Sequence, residues 1–266
     1  MNKFYIQIVF FLLSASVYLN SKTLASEPDP GKAAEIKSKD RYATSEEVYE
    51  QNKHLLCASP EEAHQAIKLM GEALIHLAYH TTNKDGYKFM GDDPDYDLYY
   101  YRKKHNGNTN IEKYQYKVRD PNKYSETIND LWNPDNEHFL DRYSSKKKIV
   151  RVYSPNLVII QQRYKNWSLG RQQYFYALAK KSQISEDKTI IVMTSANIND
   201  HHPSKKKYKN TIIENANLFT TDIDSEEDIR NGKLNKAFLN IGGYIIQKKD
   251  KCIDITYINS LSGIQN

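Results

Sequence analysis

The stretch Asn240–Asn259, "NIGGYIIQKKDKCIDITYIN", holds two apolar runs around a charged turn. Ile241, Tyr244, Ile245 and Ile246 precede Lys248-Lys249-Asp250-Lys251, and Ile253, Ile255, Tyr257 and Ile258 follow it. β-Branched and aromatic runs separated by a short polar turn read as a β-hairpin. A hairpin with an apolar face needs neighbouring strands and a cover, so the rest of the chain must supply both.

Upstream, the neighbours are plain. Residues 149–153, 157–164, 172–183 and 189–196 are strand-like, with Pro155-Asn156 as a turn. Earlier come 87–90, the aromatic run 97–103 and the alternating 111–118, with Asn106-Gly107 as a hairpin turn signal. Helices lie between these groups. Thr44-Ser45-Glu46-Glu47 fits a capping box and starts a short helix running to about Leu56. Ser59-Pro60-Glu61-Glu62 starts a longer one, in which Ala63, Ile67, Met70, Leu74 and Leu77 recur at helical spacing up to about His80. Asp120-Pro121 opens a helix with Tyr124, Ile128 and Leu131 on one face, and a second short helix is expected over 134–142. A long connection, 197–236, precedes the final hairpin. Helices interleaved with runs of short-turned strands predict an α+β fold built on a curved antiparallel sheet.

The chain has 266 residues and a formal charge of +5. Lys3 followed by the apolar run 4–18 and small residues at Thr23-Leu24-Ala25 reads as a signal peptide over 1–25. Residues 26–43 are polar and charged, the composition of a disordered linker, and 44–266 form the domain. Basic clusters at 102–104, 146–148, 205–207 and 248–251 are interleaved with acids and read as solvated turns and strand ends. Two cysteines, Cys57 and Cys252, leave pairing open. Asn166-Trp167-Ser168 is a glycosylation sequon.

Catalytic signatures are missing from the sequence: there is no nucleophile elbow, no phosphate-cradling glycine loop and no His-Glu-x-x-His. His76 and His80 have metal-ligand spacing without a third partner, and the carboxylates Asp92, Asp93, Asp95 and Asp97 lack calcium-loop spacing. The expectation is therefore no enzyme, no metal and no cofactor. The charge is too low for a nucleic-acid partner. A richly apolar curved sheet without a catalytic centre points to a pocket.

Three stretches carry a family resemblance. They are "KIVRVYSPNLVIIQQRY" (148–164), "RQQYFYALAKKSQISEDKTIIVMTSAN" (171–197) and "IGGYIIQKKDKCIDITYI" (241–258). Leu131-Trp132-Asn133-Pro134-Asp135, Arg171 with Tyr174 and Phe175, and Gly242-Gly243-Tyr244 with Asp254-Ile255-Thr256-Tyr257 resemble START domains, the steroidogenic acute regulatory protein-related lipid transfer family. With "VYEQNKHLLC" (48–57), the whole chain resembles the secreted START-like fam-a proteins of malaria parasites. The resemblance implies a helix-grip fold, in which the sheet grips a C-terminal helix over a lipid tunnel. It also implies a phospholipid ligand such as phosphatidylcholine, lipid transfer with transient membrane contact, and secretion with export to the host erythrocyte. The lid helix of that fold is expected after a strand ending near Asn259, where only residues 260–266 remain, so it is expected to be missing and transfer impaired. A non-transferring secreted interaction or surface-antigen protein is the alternative. Strand alternation places Leu157, Ile159, Gln161 and Arg163 on one face of their strand, and Gln173, Phe175, Ala177 and Ala179 on one face of theirs. Leu157, Ile159, Gln161, Arg163, Arg171, Gln173 and Phe175 are the expected lipid-binding residues, their polar members meeting a headgroup phosphate if turned inward. Alternation leaves open which face is inward.

Overall fold

A computed structural model describes residues 43–106, 109–136, 140, 145–165, 170–204 and 206–263. The signal segment, nearly all of the linker, the sequon, Gly107 and most of the expected 134–142 helix lie outside the described residues.

The short helix α1 (Ser45–Gln51) starts as expected. Thr44 Oγ1 accepts from the Glu47 N–H, and Glu47 Oε2 accepts from the Thr44 N–H at 2.7 Å, closing the capping box. The long helix α2 (Pro60–Thr82) begins under Ser59, whose Oγ accepts from the Glu62 N–H. Its buried stripe is Ala66, Leu69, Met70, Ala73, Leu74 and Leu77, while Ile67 is 41% exposed. The stripe is rotated by about one residue from the expected one, because the small Ala66 and Ala73 let the helix settle close to the sheet.

Strands β1 (Lys88–Asp93), β2 (Leu98–Lys104) and β3 (Asn110–Val118) form a first meander. Helix α3 (Tyr124–Trp132) follows. Strands β4 (Lys146–Ser154), β5 (Leu157–Tyr164), β6 (Gln173–Ser185) and β7 (Lys188–Thr194) form a second meander. The connection after β7 carries β8 (Asn197–Asn199), β9 (Thr220–Asp222), α4 (Glu227–Arg230) and β10 (Asn235–Lys236). Strands β11 (Phe238–Lys248) and β12 (Ile253–Ser262) are the opening hairpin. β12 runs three residues past the expected end because Leu261 pairs with Leu239 and Ser262 with Phe238. Among the described residues no helix follows it.

The strand order is β1-β2-β3-β12-β11-β7-β6-β5-β4, antiparallel throughout, with β10 added in parallel beside β6. The hairpin thus sits between the two meanders, β12 against β3 and β11 against β7. At the β11–β7 seam Gly243 has φ 140°, and a Cβ there would lie 2.1 Å from the Ile191 carbonyl oxygen. Only glycine permits that approach.

Each face of the sheet has its own core. On one face α2 packs over Leu178, Ile190, Val192, Ile241, Ile245 and Ile258. The β7–β11 connection completes this cover with Ile198, Ile213, Phe219, Ile229 and Leu234. The other face carries Val158, Ile160, Phe175, Ala177, Ala179, Ile191, Tyr244 and Ile246, under α1 and α3. Cys57 and Cys252 are free thiols. The Cys57 N–H bonds Val152 on β4, whereas Cys252 precedes β12, with β11, β7, β6 and β5 between them in the sheet.

The C-terminal end of α2 is closed by buried polar groups. His80 Nδ1 lies 3.1 Å from the Tyr87 hydroxyl, and Lys113 Nζ donates to Asn83 O at 2.6 Å. Burial, reinforced by Lys103, His76, His105 and Lys113, pulls the His80 pKa down to about 3. His80 therefore stays neutral in the fold while the unfolded chain protonates near its ordinary 6.5. Below that pH the unfolded state binds a proton that the folded state does not, so stability falls with pH from 6.5 towards 3. Between pH 6.5 and 5 this should amount to about 2 kcal/mol. His80→Leu should flatten that slope in urea titrations at the two pH values; an unchanged slope would show that His80 protonates in the fold. At the seam, Gly243→Ala should lower stability by at least about 3 kcal/mol, read as a fall in the urea midpoint.

Candidate functional site

An apolar cleft lies on the face covered by α3. Helix α3 lies in the connection between β3 and β4 and packs on this face through Tyr124, Ile128, Leu131 and Trp132. Tyr124 anchors the start of α3 by a hydrogen bond of 3.0 Å between its hydroxyl and that of Thr189 on β7. Leu131, Trp132, Asn133 and Pro134 form the roof at its other end. The floor is built from even-numbered residues of β5 and odd-numbered residues of β6 and β7: Val158, Ile160 and Gln162, then Ala179, then Ile191 and Met193. Cross-strand pairing puts Val158, Ala179, Met193 and Gly242 in one row. The two small residues in that row make it a trough.

The trough is narrow in this structure, about 40 Å³. That is room for a few waters, against several hundred Å³ for an ordinary ligand pocket. Among the described residues its lining contains one cation, Lys147. Two polar atoms on this face are buried without a hydrogen-bond partner among the described residues, Trp132 Nε1 and Gln173 Oε1. Buried polar atoms are rarely left so, and an indole N–H facing no acceptor costs roughly 1–3 kcal/mol.

A ladder of tyrosines extends the floor sideways. Tyr244 stacks on Tyr257 at 4.6 Å, Tyr257 on Tyr114 at 5.9 Å, and Tyr114 on Tyr100 at 4.7 Å. The ladder ends in a polar clamp. Tyr100 and Tyr114 donate their hydroxyl protons to Glu112, and Arg102 Nε donates to the Tyr100 oxygen at 2.8 Å. Burial pushes the Tyr114 hydroxyl pKa up, and the Glu112 charge adds to it, so these rings stay neutral hydrogen-bond donors.

No family model matches the chain, and no curated protein matches it. Among solved structures, human StAR-related lipid transfer protein 5 superposes with a TM-score of 0.54 at 9% identity, over 77% of this chain and 85% of that one. The chain has a START-like fold. Human STARD10 matches with a TM-score of 0.47 at 12% identity, over 71% of this chain and 66% of its own. The lipid transfer and protein localization domain of human StarD13 matches with 0.41 at 11%, over 68% and 77%.

Within this START-like sheet the expected site residues divide. Gln173 and Phe175 lie on the cleft face, Phe175 beside Tyr164 with ring centroids 6.2 Å apart. Leu157 and Ile159 lie on the opposite face, packed into the α2 core. Gln161 and Arg163 share that face and bind protein carboxylates. Arg163 holds Asp228 through two bonds, of 2.6 and 3.0 Å, and Glu226 at 3.1 Å. Gln161 donates to Glu226 at 2.8 Å and to the Tyr176 hydroxyl. Burial works to raise the Glu226 pKa, but hydrogen bonds from Lys148 and Gln161 outweigh it and leave it at about 2. Arg171 donates to the backbone carbonyls of Gly232 and Lys233. These three polar groups thus anchor the β7–β11 connection to the sheet, and no phosphate is needed to satisfy them.

The alternation missed the even-numbered face of β5, together with Lys147, Ile149, Ile191, Met193, Tyr244, Tyr257 and the roof residue Trp132. The shared face of Phe175, Ala177 and Ala179 is in the alternation; the unused signal is the small size of the two alanines, which leaves room for a trough beneath a helix.

The orphan indole gives a direct check. Trp132→Phe should leave stability within about 0.5 kcal/mol of the parent or raise it, because the ring stays and the unpaired N–H goes. Trp132→Ala should cost about 3–5 kcal/mol. A large loss in the Phe variant, seen in a urea titration, would show that the N–H is bonded in solution.

Proposed function

We propose that this protein binds and carries a lipid in the cleft beneath α3. The observation that supports this most is an apolar trough, floored by Val158, Ile160, Ala179, Ile191 and Met193 and roofed by Trp132, on the sheet of a START-like fold. The matched human protein is by its description a lipid transfer protein. Each methylene withdrawn from water is worth about 0.8 kcal/mol, and a bilayer offers its chains the same gain. A carrier cleft must therefore be apolar where the chains lie, as the floor of Val158, Ile160, Ala179, Ile191 and Met193 is. The reaction is exchange without bond breaking, so the reading is of a carrier and not of an enzyme.

Phosphatidylcholine is the lipid we favour. Lys147 supplies a cation for its phosphate, and the faces of Tyr244 and Tyr257 suit a quaternary ammonium. The unpaired Trp132 N–H suits an ester or phosphate oxygen. Within the expected site, Gln173 and Phe175 are proposed to contact ligand. Transient membrane contact is proposed at the β1–β2 edge, where Phe89, Met90, Tyr96 and Tyr99 are exposed and Lys88 and Lys104 stand nearby. Secretion, with export to a host erythrocyte by a fam-a protein, is proposed on the leader-like residues 1–25 and the resemblance of the chain.

The narrowness of the trough favours one competing reading, a non-transferring interaction protein with a closed sheet. The two separate in one experiment. The purified chain is incubated with phosphatidylcholine vesicles, recovered and weighed by native mass spectrometry. One unaltered lipid per chain is expected, together with transfer to acceptor vesicles, and Ala179→Trp, which fills the trough, should abolish both. A lipid-free chain that moves nothing between vesicles would leave the interaction protein.

A further inference from the structure

The connection between β7 and β11 walls a second hollow that the lipid reading leaves unused. Its volume is about 430 Å³, within the range of small-molecule sites. Lys206, Lys207 and Lys236 line it, along with Asn197, Asn199 and the rings of Tyr208 and Phe238, and among the described residues no carboxylate does.

The three lysines are not equivalent. Lys236 Nζ donates to the buried Asp200 carboxylate at 2.7 Å, so its charge is compensated. Lys206 Nζ lies 5.1 Å from the centre of the Tyr208 ring. Neither Lys206 nor Lys207 has an acidic partner among the described residues. The surface that presents them is held firmly. The Tyr208 hydroxyl donates to Lys236 O at 2.9 Å, and its ring stacks on Phe238 at 5.5 Å and 12°. Asn197 and Asn199 each commit one amide proton to the connection, to Asn217 O and to Asp222 Oδ2 at 2.6 Å each. Each amide nitrogen carries a second proton.

The lining thus offers ammonium and amide donors and, among the described residues, two positive charges without an acidic partner. A phosphate monoester brings three acceptor oxygens and close to two negative charges. A carboxylate brings one charge and fewer acceptors. We propose that this hollow binds a phosphomonoester group, with the Tyr208–Phe238 stack against whatever the phosphate is attached to. The group can belong to a membrane lipid headgroup or to a soluble compound. The site is distinct from the cleft beneath α3 and does not depend on it.

The test uses the full chain and two probes. Glycerol 3-phosphate is titrated calorimetrically, and vesicles of phosphatidylcholine with about one fifth phosphatidic acid are compared with phosphatidylcholine alone in sedimentation. Saturable binding to at least one probe is expected. Lys206→Ala with Lys207→Ala should weaken it about tenfold or more. Lys249→Ala with Lys251→Ala, which removes the same charge from the β11–β12 turn, should leave it unchanged, as should Ala179→Trp in the cleft. Binding of the soluble probe alone assigns the site to a free phosphate compound. Capture by phosphatidic acid vesicles, competed by glycerol 3-phosphate, assigns it to a headgroup. Equal losses in the two lysine pairs would reduce the effect to bulk charge and overturn the proposal, as would no binding in either arm.

Discussion

The β11–β12 hairpin holds β3 on one side and β7 on the other, and among the described residues no other strand pair joins the two meanders. Everything on either face depends on this seam. Its register is fixed over six residue pairs with β7 and seven with β3. A slip of one residue would turn Tyr244 and Tyr257 away from the cleft and Ile245 and Ile258 away from α2. Gly243 adds a steric condition, since β11 reaches β7 there only without a side chain. The hairpin is also the last part of the sheet in the chain, so the two meanders cannot be joined until it is made. Such non-local closure is the slow part of folding in sheets of this kind.

The two faces are covered by different physics. Over β5 and β6, the α2 face is held by matched charges at its rim as well as by apolar packing. Arg163 with Asp228 and Glu226, and Arg151 with Glu62 at 2.7 Å, tie α4 and α2 to β4 and β5. Removing one partner from such a half-buried pair strands the other, so these contacts specify where the connection docks more than they add net stability. The cleft face is held by apolar contact and a few hydroxyl bonds, with Trp132 left unpaired. The face without these charge ties is the one in which we propose that lipid is held.

Much of this was legible in the amino-acid sequence. The capping box at Thr44, the N-cap at Ser59, the long helix, Pro155-Asn156 and the period of the strands gave the α+β sheet and most element boundaries. The site was less so. Residues 157–160 read Leu-Val-Ile-Ile, apolar on both faces, because β5 is covered on both faces. Alternation then has no contrast to work with, and the polar Gln161 and Arg163 attracted the assignment. Their partners Glu226 and Asp228 lie some 65 residues later in a connection whose docking no local pattern reveals. The inward stripe of α2 failed by one residue for a similar reason. Ala66 and Ala73 are weak hydrophobic signals but strong packing ones.

The closed trough also changes how affinity must be read. On the carrier reading proposed above, a trough of about 40 Å³ must widen before a lipid enters, most simply by movement of its roof at the end of α3. The observed affinity is then the intrinsic one scaled by the population of the widened conformer. The Tyr124–Thr189 bond, which lies outside the cleft lining, helps to set this population without touching the ligand. Loading should accordingly saturate in rate as well as in extent, with the speed of α3 opening as its ceiling.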